Sequence, residues 1–392
     1  MLIRLSNTPK DYAWGSRSLI ASLEGRATSQ KPEAEVWFGG HPGGPSLIED
    51  GSGRTLDAWL AEGHEGAPTR LPYLLKLLAA ASPLSIQVHP SKAQAEEGFA
   101  SEAELVADAP ERNYRDDNHK PELLVALSDS FEALCGLRPL AETRRLVSAL
   151  GDGVGAAALR ARLEQDGDEA EICRGIIEWL LSGSAELEVA SIVDAAGSAA
   201  SVEFSASLNA VRRIAAVYPG DAGAVVAMLM NYVVLGRGEA VYLRAGMLHA
   251  YLSGLGVEVM AASDNVLRGG LTGKHIDVKE LLSVLDARPG VVPVLLPQSA
   301  DDASRGVEAF APAVEDFELL RARLDGDVLA QVSLRGAAIV LVTVGEVRVH
   351  GDGGTEVLRP GQALLATADE ATLRLSGDGE AFIAQPGAPL PR

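Results

Sequence analysis

The period of the hydrophobic positions changes twice along the chain. Up to about residue 138, short runs of alternating apolar and polar residues are separated by Gly- and Pro-rich clusters such as Phe38-Gly39-Gly40-His41-Pro42-Gly43-Gly44-Pro45, the pattern of strands and turns. Two short helices are expected within it. One lies near residues 55–61, where Leu56, Trp59 and Leu60 recur at helical spacing, and one covers 92–99. Residues 141–150, 155–163, 169–181 and 204–217 instead carry apolar side chains at i, i+3 and i+4, and Pro139 and Pro219 bracket them. Strand-and-turn patterning returns from Gly238. A further all-β unit follows Pro289-Gly290, with 337–349 alternating.

The expected fold is therefore mainly β with an α-helical insert. Residues 1–138 and 219–290 form one discontinuous β unit, 139–218 the insert, and 291–392 a second β unit. A short internal repeat links the two β units. Leu243-Arg244-Ala245-Gly246-Met247-Leu248-His249 resembles Leu358-Arg359-Pro360-Gly361-Gln362-Ala363-Leu364, each a strand, a glycine turn and a second strand. This is how a jelly-roll barrel turns before a pocket-facing residue. Two barrels of one type are expected, with His249 offered by the first and Leu364 by the second, so that the second is metal-free.

Three segments place polar groups where the pattern calls for apolar ones. In Leu84-Ser85-Ile86-Gln87-Val88-His89-Pro90, strand alternation puts Ser85, Gln87 and His89 on one face and Leu84, Ile86 and Val88 on the other. In Asn118-His119-Lys120-Pro121-Glu122-Leu123-Leu124-Val125, Lys120 and Glu122 share a face at the start of a hydrophobic run. In Gly246-Met247-Leu248-His249-Ala250-Tyr251-Leu252, His249 and Tyr251 share one. Gln87, His89, Glu122 and His249 together offer an amide oxygen, two imidazoles and a carboxylate. That N/O set suits Zn²⁺ with a position left for water or substrate, and Mn²⁺, Co²⁺ or Fe²⁺ also fit it.

Composition narrows the classes. A chain of 392 residues exceeds one ordinary core. A net charge of −20 disfavours nucleic acid and anionic membranes as partners, yet leaves room for a local basic pocket and a small phosphorylated ligand. No apolar run has bilayer-spanning length, and the first ten residues hold no secretory signal. Two cysteines, Cys135 and Cys173, without a CxxC pair, argue against a disulfide framework and for the reducing cytoplasm. Only seven of the 34 basic residues are lysines. An ammonium can shift its pKa and transfer a proton where a guanidinium cannot, and Lys76, Lys92, Lys120 and Lys274 all fall in or beside the polar segments.

Four segments in this order resemble the type I phosphomannose isomerases of the cupin superfamily: Tyr12-Ala13-Trp14-Gly15, residues 84–90 with Lys92, residues 118–122, and residues 249–272. The resemblance covers about residues 1–290. It implies two cupin-type jelly-roll barrels and interconversion of mannose 6-phosphate and fructose 6-phosphate by C1–C2 proton transfer through an enediol. It further implies one zinc ion on Gln87, His89, Glu122 and His249, a role in GDP-mannose biosynthesis, and, with the acidic surface, a monomer. Arg268 matches the arginine that closes on substrate. Lys76, Ser85, Lys92 and Lys274 fall at phosphate or sugar contacts, and Trp14, Tyr251 and Asp264 are further candidates for the substrate pocket. Lys120, Glu258 or water on the ion is the base. Two departures stand out, Gly269 where alanine is usual and Arg244-Ala245 in place of a proline-containing approach to His249. The competing readings are an Fe²⁺ cupin oxygenase and a cupin that binds sugar phosphate without turnover.

Overall fold

In the computed structural model, the strand His249–Ala261 is the spine of one antiparallel sheet. Residues 1–392 are described apart from 107, 108, 110, 293, 301–305, 327, 328 and 390–392. The later part of the spine runs between Tyr73–Ala80 and Glu122–Ala126, and its first residues pair with Gln87–Val88 and Phe131–Leu137. Glu35–Phe38, Leu267–Arg268 and Ala240–Leu243 extend the sheet outward.

One strand serves four partners because it is kinked. The register slips between Tyr251 and Ser253, and the following residue, Gly254, has φ +125°. A Cβ there would sit 2.6 Å from the Phe131 ring, so glycine is needed. The slip also changes parity. His249 and Glu258 are nine apart and would face opposite ways on a regular strand. Here Tyr251 Oη donates to Glu258 Oε1 at 2.9 Å, so both halves of the strand present polar groups to one side.

On the side away from these polar groups, each half of the sheet has its own cover. Val36, Leu75, Leu77, Leu123, Val125, Val257 and Val259 share a core with Leu319, Ile339, Leu341, Leu365 and Phe382 of the second sheet. Ile86, Val88, Leu248, Ala250, Leu252 and Leu267 pack against the helices instead. Leu84, expected beside Ile86 and Val88, joins a different cluster with Leu78, Leu124 and Tyr251.

The helical insert runs as its periodicity predicts. Glu169–Leu181 matches the expected span, and Leu140–Ser148, Val154–Leu163 and Ser205–Val217 differ from it by one or two residues. Glu186–Ser198 and Gly223–Leu229 are additional helices. The second of these is buried on every side and so carries no amphipathic signature. The helices expected at 55–61 and 92–99 are Leu56–Ala61 and Lys92–Ser101. The strand expected over 84–90 shrinks to Gln87–Val88, hemmed by Pro83 and Pro90.

The second sheet is built around Ala338–Gly351 and Thr372–Gln385. It also takes in Leu2–Ser6, which lies between Ala363–Ala366 and Leu47–Ile48. The first residues of the chain thus belong to the far sheet, not to the one carrying the polar segments, contrary to a break at residue 291. The repeat is visible in the backbone. Gly246 and Gly361 have φ +77° and +82°, and Met247 N–H to Arg244 O (3.2 Å) has its counterpart in Gln362 N–H to Arg359 O (2.9 Å). Both are turns whose third residue must be left-handed, hence glycine.

Candidate metal centre

Three of the four expected ligands converge. His89 Nε2 lies 3.3 Å from Glu122 Oε1 and His249 Nε2 lies 3.5 Å from Glu122 Oε2, and all three side chains are buried. The imidazoles are oriented from behind. His89 Nδ1 donates to the carbonyl of Asn265 at 2.7 Å, and His249 Nδ1 to that of Met247 at 2.9 Å. Each ring therefore turns the lone pair of Nε2 toward the carboxylate. His89 Nε2 is buried without a hydrogen-bond partner. Burial, followed by the Lys120 ammonium, pushes the His89 imidazolium down to about 4, so the ring is neutral. Lone pairs facing a carboxylate oxygen at these distances repel unless a cation lies among them, and the donor set fits zinc.

Gln87 stands opposite His249 in one ladder and opposite Arg268 in the next, so the three side chains leave the same face. Gln87 Nε2 donates to Ser85 Oγ at 3.1 Å, so Oε1 is the atom Gln87 has left to offer an ion. The Arg268 strand is pinned by Gly269 N–H to Ile86 O at 2.8 Å. Gly269 therefore does not loosen it, and a methyl there would meet Ile86 and Leu281 at 3.3 Å. Arg244, the other departure, is held by Asp286 at 2.6 Å beside the turn leading to His249.

Behind the ligands lies a buried charge network. Lys120 Nζ donates to Glu122 Oε1 at 2.7 Å. Burial would raise the Glu122 carboxyl, but the Lys120 ammonium holds it well below the usual range. Lys76 Nζ donates to Glu258 Oε2 at 3.0 Å and lies 3.6 Å from Glu35, which accepts from Trp37 Nε1 at 3.0 Å. Burial alone would lower Lys76, and the flanking Glu258 and Glu35 reverse it, so the ammonium persists. Both Glu258 oxygens are engaged, one by Lys76 and one by Tyr251.

Gln87 also stands in the wall of a cavity of about 620 Å³, with Trp14, Trp37, Ser85, Arg268 and Lys274. A neighbouring hollow of about 360 Å³ shares Asp264, Arg268 and Lys274 and adds Arg112 and Arg115. Positive charge is concentrated here. Arg268 and burial push the Lys274 ammonium down, and burial with Arg115 does the same to Arg268. Lys92 goes elsewhere. It is half-exposed on its helix, donating to Asp117 O at 2.8 Å and pairing with Glu96 at 3.5 Å. Its assignment to the sugar or phosphate has no support in this geometry.

Several residues here escaped the sequence pattern. Asn265 fastens the loop behind His89, accepting from Arg115 N–H and donating to the carbonyls of Asp116 and Asn118. Glu35 and Trp37 enter the pocket from a strand that reads as ordinary. His41, from the glycine- and proline-rich cluster, reaches Asp264 at 3.2 Å. Among the described residues no helix is long and apolar enough to cross a membrane.

Fold and site together define a metal-binding β protein with a cation-lined cavity that reaches the candidate ion site through Gln87, an arrangement suited to a small anionic substrate. Residues 2–140 match the family model for the phosphomannose isomerase type I catalytic domain. Over 96% of its length the chain is 36% identical to mannose-6-phosphate isomerase of Salmonella typhimurium, covering 97% of that protein. It is 34% identical over 96% of its length to mannose-6-phosphate isomerase 1 of Arabidopsis thaliana, covering 92% of it. Zinc-bound mannose 6-phosphate isomerase has a similar structure, with TM-score 0.87 and 32% identity over 99% of this chain and all of that one. A lysine-to-alanine variant of the Salmonella typhimurium protein superposes with TM-score 0.89 at 34% identity, over 99% of this chain and all of that one. The chain belongs to the type I mannose-6-phosphate isomerases.

Proposed function

We propose that this protein interconverts mannose 6-phosphate and fructose 6-phosphate, with Gln87, His89, Glu122 and His249 holding a zinc ion. The observation that carries the reading is the buried His89–Glu122–His249 cluster, with its lone pairs turned inward beside a cation-lined pocket. Neither the oxygenase nor the binding-only alternative accounts for family membership together with that pocket.

A bound zinc ion supplies a Lewis acid at the sugar's carbonyl oxygen, where negative charge develops as the neighbouring C–H proton leaves. Arg268, fixed in register beside Gln87, places a second positive charge on the same face for the other enediolate oxygen. Lys274, with Arg268 and Arg115, receives the phosphate. An anion there offsets the charge of Arg268, which with burial depresses Lys274, and that of Arg115, which adds to burial in depressing Arg268. Trp14 and Trp37 line the wall between and shield the sugar from water. For the transferred proton, Lys120 is favoured over Glu258, because both Glu258 oxygens already accept hydrogen bonds. Glu258 instead fixes Lys76 and Tyr251. Asp264 and Ser85 contact sugar hydroxyls.

The same reading takes the two sheets as two cupin-type barrels, supported by the matched turns at Gly246 and Gly361. In the second, Leu364 is buried among aliphatic side chains at the position that His249 holds in the first. A reducing cytoplasm agrees with Cys135 and Cys173 both being free and buried.

A coupled assay for fructose 6-phosphate, run on the purified protein before and after chelation, tests the proposal. Activity is expected to vanish with chelator and return with zinc. Oxygen uptake, or saturable binding of mannose 6-phosphate without turnover, would overturn it.

A further inference from the structure

A carboxylate sits among the cations of the proposed phosphate site and does not neutralise them. Asp264 lines the same two hollows as Arg268 and Lys274. Among the described residues, neither of those cations comes within ion-pairing distance of it. Its contact is with His41, whose Nε2 lies 3.2 Å from Asp264 Oδ1.

We propose that His41 is a positioning residue that holds Asp264 away from the phosphate-binding cations. The inference rests on the phosphate reading of the Arg268–Lys274 cluster given above.

The His41 ring is fixed on three sides. Gly43 N–H donates to Nδ1 at 3.1 Å, so the ring proton is on Nε2, directed at the carboxylate. The ring meets Trp37 edge-on with centroids 5.1 Å apart. Lys10 Nζ donates to the carbonyl of Gly43 at 2.8 Å and lies over the Trp37 ring, which secures the turn carrying that N–H. The His41 side chain is 7% exposed, whereas that of Asp264 is 54% exposed, so the rigid partner is the histidine. The Asp264 backbone is fastened separately by its N–H to Asp116 Oδ2 at 2.7 Å. Among the described residues the carboxylate is thus held by one side-chain contact, and freeing it leaves an anion on the wall it shares with Arg268 and Lys274. Coulomb attraction would then draw it onto Arg268 or Lys274, where it competes with the incoming phosphate. The Gly-Gly-His-Pro-Gly-Gly cluster is in this view the scaffold of a charge separator rather than a simple turn.

Calorimetric titration of inorganic phosphate into the zinc-replete protein tests this. The native protein is expected to bind phosphate. His41→Ala should bind it roughly two- to fivefold more weakly, the scale of one partly screened ion pair. His41→Gln, which keeps an N–H donor in reach of Asp264, should recover most of the affinity. The deciding variant is His41→Ala combined with Asp264→Asn. Removing the charge of the released carboxylate should restore phosphate binding, which would not happen if His41 served only to pack the loop. Unchanged affinity in His41→Ala, or no recovery in the double variant, overturns the proposal while leaving the phosphate site standing. Failure of the native protein to bind phosphate removes the cation site itself, and this inference with it.

Discussion

Glu122 is the residue on which the site balances. It faces both imidazoles and accepts from Lys120, so its removal leaves two inward lone pairs and a buried ammonium with no anion among them. Glu122→Ala should retain less than about a tenth of the bound zinc, read as the metal-to-protein ratio after gel filtration. Lys274 is expected to behave differently, because it lies away from the ligands at the pocket mouth. Lys274→Ala should raise KM for mannose 6-phosphate about tenfold or more, with kcat changed less and zinc content unchanged. An unaltered KM would remove Lys274 from the phosphate site. Legibility also varied at this scale. His89 and His249 were visible because each interrupts an apolar alternation, and Glu122 because it opens a hydrophobic run. His41 had no such signal, since a glycine- and proline-rich cluster has no periodicity for it to break. Lys92, expected at the sugar or phosphate from the resemblance, opens a helix and is engaged there by Asp117 and Glu96.

Among the elements, the bulge at residues 251–253 and the turn at Gly246 set the site's geometry. The bulge could not be foreseen from alternation, because it is the point where alternation changes phase, and strict parity would have sent Glu258 to the wrong face. The turn was visible through its repeat. It is braced by Asp286, whose N–H donates to Gly246 O at 2.9 Å and whose carboxylate pairs with Arg288 (2.7 Å) and Arg244 (2.6 Å). Arg288, with Arg244 and against the cost of burial, holds the Asp286 carboxyl well below the usual range. A depressed folded-state pKa contributes stability above the unfolded value of about 4, and that contribution is lost as pH falls through the folded value. Asp286→Asn should therefore lower the urea midpoint at pH 7, and the gap from native protein should narrow as the buffer is taken below about pH 4. A gap independent of pH would show that the charge is not what braces the turn.

Across the whole molecule, the second sheet supports the first without lending it a ligand. Their shared core draws on both, and Tyr73 of the first places its hydroxyl 2.9 Å from the carbonyls of Ala337 and Ala384 in the second. Leu2–Ser6 adds a covalent tie by pairing within the far sheet. Two units joined this way should unfold as one. Tyr73→Phe should cost about 1–3 kcal/mol, the price of unpaired buried carbonyls, in a single transition seen alike by fluorescence and circular dichroism. Two separated transitions would mean the sheets are independent. The run of helices was readable from the change of period, but the place of the N-terminal strand was not, because local patterning does not say which sheet a strand joins.

The central claim is that an amide oxygen, two imidazoles and a carboxylate share one zinc ion. Its nearest rival is structural, since Cys135 pairs with His249 in the ladder and a thiolate there would compete for the metal. Burial pushes the Cys135 thiol up to about 12, which argues that it stays protonated. X-ray absorption at the zinc edge of the purified protein decides the matter. The account predicts one zinc per chain with only nitrogen and oxygen neighbours at roughly 2.0–2.2 Å and an imidazole signature. Sulfur scattering at roughly 2.3 Å, or an ion that persists in Glu122→Ala, would contradict it.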